Sequence, residues 1–88
     1  MQIEGIAQSR VYAIWDTICY HGAGGETFHT RDIERALVEE GFKPKTAALY
    51  FNRFVHWAQA NPDEFSGPAS KIVRVSHGRY RLDDNPER

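Results

Sequence analysis

Hydrophobic residues in the first segment of the chain recur at helical spacing. Between residues 7 and 21 they comprise Val11, Ile14, Trp15, Ile18 and Cys19. These positions share one face of an amphipathic helix, which would pack that face against a core. The glycine-rich run 22–25 predicts the end of this helix, because glycine adopts the left-handed conformation that follows a helix at little cost.

A short strand and a second helix follow the glycine run. Residues 26–29 are predicted to be extended and to be anchored by Phe28. Thr30 is the expected N-cap of a helix over 31–40, because its hydroxyl can accept from the first free backbone N–H groups. Gly41 is the expected C-terminal cap. The apolar face of this helix contains Ile33, Ala36 and Leu37.

A third helix is predicted from Pro44, which suits a first helical turn, to about Ala60, before Asn61-Pro62. At about 100° per residue, its side chains divide between two opposite faces. The core face contains Ala47, Phe51, Phe54 and Ala58. The opposite face is polar and basic, and consists of Lys45, Thr46, Asn52, Arg53 and His56 around Leu49.

The last segment has the alternation of a β-hairpin. Strands are predicted over 71–75 and 79–82, joined by a two-residue turn at His77-Gly78. In that register Arg74 lies opposite Arg81, and Val75 lies opposite Tyr80. One face would then carry Val73, Val75, Tyr80 and Leu82, and the other would carry Arg74, Ser76, Arg79 and Arg81.

Length and composition favour one small domain. The chain has 88 residues, of which 41% are hydrophobic and 26% charged, as is typical of a globular protein. We expect a single domain over 1–88, with an ordered core over 7–82 and a frayed tail over 83–88. The single cysteine, Cys19, excludes an internal disulfide. Since signal-peptide and membrane-span patterns are also missing, the sequence predicts a cytoplasmic protein without a membrane partner.

Charge is unevenly distributed along the chain, although the net formal charge is −1. Residues 1–42 carry three basic and seven acidic side chains, whereas residues 43–81 carry seven basic and two acidic ones. A basic half beside an acidic half favours a single anionic partner bound in one orientation.

Catalytic and metal-binding patterns are not found in the sequence. The four histidines, His21, His29, His56 and His77, lack the His-x-x-x-His and Cys-x-x-Cys spacings of metal ligands. Ser76 and His77 are neighbours, but a hairpin tip offers no pocket that would exclude water from a nucleophile. The sequence therefore predicts no metal, no cofactor and no enzymatic activity.

The order of elements, which is helix, short strand, helix, helix and hairpin, resembles the winged helix-turn-helix superfamily. The resemblance is carried by strand and helix at 28–37, the turn Gly41-Phe42-Lys43-Pro44, the helix from Lys45 to Gln59, and the wing at 73–82. It implies a mainly α fold with a small β-sheet (α+β), built from three helices and a C-terminal two-stranded wing.

The resemblance also implies double-stranded DNA as the partner and a role as a small transcriptional regulator. The third helix would enter the major groove, and the wing would lie on the backbone or in the minor groove. Arginine, asparagine and threonine suit base edges, and lysine suits phosphate. The candidate DNA-binding residues are Lys43, Lys45, Thr46, Leu49, Asn52, Arg53 and His56 in the third helix, and Lys71, Arg74, Ser76, His77, Arg79 and Arg81 in the wing.

The alternative is a winged helix that binds another protein, as an adaptor, an inhibitor or a subunit of a larger nucleic-acid machine. The near-neutral net charge and the acidic residues Asp32, Glu34, Glu39 and Glu40 favour this alternative. Leu49 fits a protein groove as well as it fits a thymine methyl group. Tyr12 and Tyr20 flank the first helix, where they either cover the edge of the core or form a homodimer surface.

Overall fold

The computed structural model describes residues 3–61 and 71–83. In these ranges lie the helices α1 (Gln8–His21), α2 (Thr30–Glu39) and α3 (Pro44–Ala60), with one 3₁₀ turn at Ala23–Gly25. They are accompanied by the strands β1 (Phe28–His29), β2 (Lys71–Ser76) and β3 (Arg79–Asp83). The expected mainly helical α+β class is confirmed. Apart from Asp83, the predicted tail lies outside the described residues.

None of the helices formed by residues 3–61 and 71–83 combines the length and the apolar character needed to cross a bilayer.

The start of α2 is capped by His29, one residue earlier than the sequence predicts. The His29 Nδ1 atom accepts from the backbone N–H of Arg31 at 3.1 Å, and the Asp32 carboxylate accepts from the backbone N–H of His29 at 3.2 Å. These reciprocal bonds form a capping box. Thr30, the predicted cap, is instead the first helical residue, and its backbone N–H and hydroxyl donate to the hairpin.

The turn between α2 and α3 follows the prediction closely. Gly41 has a φ of 109°, and its N–H donates to the Val38 carbonyl oxygen at 3.0 Å. The Phe42 N–H donates to the Leu37 carbonyl oxygen, also at 3.0 Å. This pair of bonds is a Schellman motif, which requires a left-handed residue at the position of Gly41. Pro44 then begins α3 in its first turn.

The outer side of this turn is covered by a side chain from α1. The Arg10 guanidinium carbon lies 5.2 Å from the centre of the Phe42 ring and 5.8 Å from that of Tyr50. Both distances are within the range of cation–π attraction. Arg10 therefore links α1 to the α2–α3 turn and to α3.

The strands form one antiparallel sheet in the order β1-β3-β2. The sheet thus has three strands, since the predicted short strand joins the predicted two-stranded wing. Phe28 of β1 lies opposite Tyr80 of β3, and the two rings stack with centroids 6.2 Å apart. Tyr80 also contacts the edge of Phe51 in α3, at 6.1 Å between centroids.

The hairpin register differs from the predicted one. The turn at His77-Gly78 is as expected, and Ser76 lies opposite Arg79. A bulge then removes Val75 from the ladder, so Arg74 pairs with Tyr80 and not with Arg81. Upstream of the bulge, every β2 residue is therefore paired one position away from the prediction.

The bulge decides which residues of the hairpin are buried. Ile72 and Leu82 lie opposite each other and are 6% and 9% exposed. Val75, which was predicted to share a face with Leu82, is 48% exposed, and Val73 is half-buried. The predicted apolar face of four residues was wrong, because that register would have left Ile72 on the solvent side.

The core lies between the three helices and one face of the sheet. Its buried members are Ile3, Ile6, Val11, Ile14, Ile18, Phe28, Ile33, Leu37, Ala47, Phe51, Phe54, Val55, Ala58, Ile72 and Leu82. Trp15 and Cys19, expected on the core face of α1, are half-buried against this cluster. Ile3 and Ile6 precede the predicted core, and they show that the segment before α1 packs on the helices.

Candidate nucleic-acid interface

The outward face of α3 displays most of the residues that sequence analysis selected. Lys43, Lys45, Leu49, Asn52, Arg53 and His56 are exposed, and Thr46 is half-buried. The face is solvent-facing because Phe51, Phe54 and Ala58 occupy the opposite side of the helix. Leu49 is 49% exposed among polar neighbours.

A groove of 300 Å³ lies between α3 and the hairpin. Its walls bring together predicted residues from both elements, namely Asn52 and His56 of α3 with Arg74 and His77 of the hairpin. The other lining residues are Thr30, Val55, Gln59, Gly78 and Tyr80. We refer to this feature as the α3–hairpin groove.

The α3–hairpin groove has the chemistry of an anion site. None of its lining residues in the described part of the chain is acidic. Amides, imidazoles and a guanidinium supply hydrogen-bond donors, of which the Arg74 guanidinium is always charged. Asn52 and Gln59 add acceptors to their donors, which is the combination that reads an adenine edge. The arrangement can therefore hold a phosphate and a base edge together.

The Arg74 side chain is held at the rim by His77. Arg74 Nη2 lies 3.3 Å from His77 Nδ1. A guanidinium can only donate, so the Nδ1 atom is the acceptor in this contact. Arg74 belongs to the face of the sheet that carries Tyr80, because these two residues pair across the strands. The Arg74 guanidinium therefore lies on the side of the sheet that faces α3.

The tip of the hairpin is fastened to the start of α2. The Thr30 backbone N–H and hydroxyl both donate to the Gly78 carbonyl oxygen, at 2.9 Å and 3.3 Å. The His29 ring packs on Gly78, since a Cβ added there would lie 3.0 Å from its Nε2 atom. These contacts fix the position of the hairpin relative to the helices.

We expect Gly78→Ala to lower the free energy of unfolding by about 1–2 kcal/mol. Gly78 has a φ of 72°, which is unfavourable for alanine, and the new Cβ would press on the His29 ring. Urea denaturation followed by circular dichroism measures the loss. Gly24→Ala is the matched control, because it has the same φ of 72° with no atom near its Cβ position. A loss no larger than that of the control would contradict the contact with His29.

Other predicted residues are not part of the groove. Arg53 reaches back along the N-terminal segment, where a Cβ on Gly5 would lie 2.9 Å from its Nη1 atom. Arg79 and Arg81 alternate with Tyr80 and therefore lie on the far face of the sheet from Arg74. The predicted single face of arginines was wrong for this reason. The backbone of Lys71 lies opposite that of Asp83, at the other end of the hairpin.

Sequence reasoning missed three polar contributors to the groove. Gln59 lies one turn beyond His56 on the same side of α3, so the helical spacing contained a signal for it. Thr30 was predicted to be a helix cap, and Tyr80 was predicted to lie on the apolar face of the hairpin. Their positions in the groove depend on the hairpin docking beside α2, which local sequence does not reveal.

Possible metal ligands and the Cys19 thiol were the remaining candidates for chemistry among the described residues. Within residues 3–61 and 71–83, no three His, Cys, Asp or Glu side chains are grouped as a metal site requires. Cys19 is half-buried. Burial raises the pKa of its thiol, and the nearby Asp16 carboxylate raises it further. The thiolate, which is the reactive form, is thereby disfavoured.

In comparisons with known proteins, the chain matches no protein-family model, no curated protein and no solved structure.

Proposed function

We propose that this protein is a winged helix that binds double-stranded DNA with sequence preference and acts as a small transcriptional regulator. In the proposed complex α3 enters the major groove, which is wide enough to admit a helix. The hairpin is the wing, and it follows the phosphate backbone beside α3.

The single observation that carries the proposal is the α3–hairpin groove. It joins residues suited to base edges, Asn52 and Gln59, to a guanidinium suited to phosphate, Arg74. No carboxylate lines the groove within the described residues. The order of the elements along the chain supports the assignment, because the resemblance to winged helices rests on that order.

The exposed cations near the start of α3 extend the proposed surface. Lys43 is the N-cap of the helix and Lys45 lies in its first turn, and both are solvent-exposed. Lysines at these positions would contact the backbone on either side of the major groove. They would contribute affinity with little sequence information.

The proposal is tested by fluorescence anisotropy of a labelled mixed-sequence duplex at several salt concentrations. We expect log affinity to fall linearly with log salt, with a slope of about −0.9 for each phosphate neutralised. Lys45→Gln should reduce the magnitude of that slope by about one. Arg35→Gln is the matched control, because it removes one positive charge from a groove between α1 and α2 that shares no lining residue with the α3–hairpin groove.

Two outcomes would overturn the proposal. One is the absence of duplex binding at low salt by protein whose circular dichroism shows it to be folded. The other is an equal loss of slope in Lys45→Gln and Arg35→Gln, which would indicate diffuse attraction. Either outcome would favour the alternative of a protein-binding winged helix, for which the exposed Leu49 on α3 would be the first contact to examine.

A further inference from the structure

A second, larger groove runs between α1 and α2. It has a volume of 810 Å³ and shares no lining residue with the α3–hairpin groove. Its lining includes the small side chains Ser9, Ala13 and Thr17, which follow one another at intervals of four along α1. The Thr17 hydroxyl donates to the Ala13 carbonyl oxygen at 2.8 Å, so this donor is already used. We refer to this feature as the α1–α2 groove.

The charge of the α1–α2 groove is opposite to that of the proposed DNA surface. Four carboxylates line it, those of Asp16, Asp32, Glu39 and Glu40. Arg35 is the one guanidinium among its lining residues in the described part of the chain, which leaves a formal excess of three negative charges. Such a surface repels phosphate and attracts a cationic partner.

Two tyrosines distinguish this groove from an ordinary solvated acidic face. Tyr12 and Tyr20 flank Asp16 at intervals of four residues, so all three lie along one ridge of α1. Tyr20 is 82% exposed and Tyr12 is 48% exposed. An aromatic ring beside a carboxylate can receive a lysine or arginine side chain by cation–π and ionic contacts together.

We propose that the α1–α2 groove binds a lysine- or arginine-rich helical segment of a partner protein. A groove between two helices, lined by small side chains along one of them, suits a third helix laid along it. α1 has 14 residues, which at about 1.5 Å per residue gives a ridge long enough for three or four turns of a partner. The tyrosines would contact its apolar positions and the stems of its cationic side chains.

A second copy of this chain fits the groove less well than a separate partner. Five of the eight exposed cations among the described residues lie on α3, at its N-cap or on the hairpin, whereas the groove lies between α1 and α2. Their docking into the groove of a neighbour would be a head-to-tail contact, which builds open chains of molecules unless the rotation closes. A partner segment needs no such assembly.

The test uses fluorescence anisotropy with a fluorescein-labelled amphipathic peptide made of leucine and lysine. We expect saturable binding at moderate salt, weakened about five- to tenfold by Tyr20→Ser. The control Val75→Ser removes an exposed apolar side chain that lines neither groove, and it should leave the affinity unchanged. The double variant Asp16→Asn/Glu39→Gln should weaken binding at least as much as Tyr20→Ser does.

A second control distinguishes binding in the α1–α2 groove from general attraction of the cationic peptide to an acidic protein. Glu26→Gln with Glu34→Gln removes the same charge from positions that do not line the groove, and the peptide should still bind. Equal losses in the two double variants, or an unchanged affinity in Tyr20→Ser, would overturn the proposal. Self-association of the chain that disappears in the groove variants would also overturn it, in favour of a second copy.

Failure of this inference is distinguishable from failure of the proposed function. The groove variants leave the α3–hairpin groove intact, so their duplex affinity in the same instrument should not fall. Peptide binding without duplex binding, or the reverse, would support one proposal and contradict the other.

Discussion

Ile72→Ala is expected to lower the free energy of unfolding by about 2–5 kcal/mol, and Val75→Ala by less than about 1 kcal/mol. Ile72 is buried opposite Leu82, so its truncation leaves a cavity in the core. Val75 lies in the bulge and is about half exposed, so alanine leaves no cavity there. In a domain of this size, a loss at the upper end of the first range would leave little net stability.

Urea denaturation of both variants, with the two curves fitted to a common slope, measures this difference. Val73→Ala is an internal reference, because Val73 is half-buried and should give an intermediate loss. A larger loss for Val75→Ala than for Ile72→Ala would contradict the bulge. That result would restore the unbroken register in which Val75 faces the core.

The helices were predictable because their signals are local. The left-handed Gly41 and the first-turn Pro44 define the α2–α3 turn within four residues, and the structure has both where the sequence placed them. Hydrophobic spacing likewise identified the buried face of α3, since that face follows from helix geometry alone. The predicted start of α2 was one residue too late, because the side chain of His29 can accept from a free backbone N–H just as that of Thr30 can.

The hairpin register was not predictable from alternation. An unbroken ladder placed four apolar residues on one face, and this looked self-consistent. It ignored Ile72, whose burial against α3 and Leu82 requires the strand to shift by one position. A bulge leaves one residue unpaired, and packing of the whole sheet on the helices must compensate for that loss. Strand sequences do not contain this information.

The wrong hairpin register also led to a wrong placement of the hairpin arginines in the candidate site. The exposed face of α3 was predicted correctly as a surface, because it is the complement of the buried face. The hairpin arginines were placed together, whereas the bulge sends Arg74 towards α3 and leaves Arg79 and Arg81 behind the sheet. The groove itself depends on Gly78 binding Thr30, a contact between residues far apart in the chain.

The separation of the arginines leads to the second large expected effect. We expect Arg74→Gln to weaken duplex binding by about 1–3 kcal/mol, which is the cost of losing a charge-assisted contact. Arg81→Gln should weaken it much less, because Arg81 lies on the opposite face of the sheet from the groove. Both variants remove one positive charge, so general attraction falls equally in the two.

Anisotropy titrations of the two variants at one salt concentration compare them directly. His77→Ala adds a test of geometry, because it removes the Nδ1 atom that holds the Arg74 guanidinium at 3.3 Å and leaves the charge of Arg74 in place. Its loss should lie between those of Arg81→Gln and Arg74→Gln, since a freed side chain must be ordered again on binding. Equal losses for Arg74→Gln and Arg81→Gln would place the DNA on the hairpin edge rather than in the α3–hairpin groove. That result would leave the description of the fold unchanged, but it would reject the α3–hairpin groove as the site of base recognition.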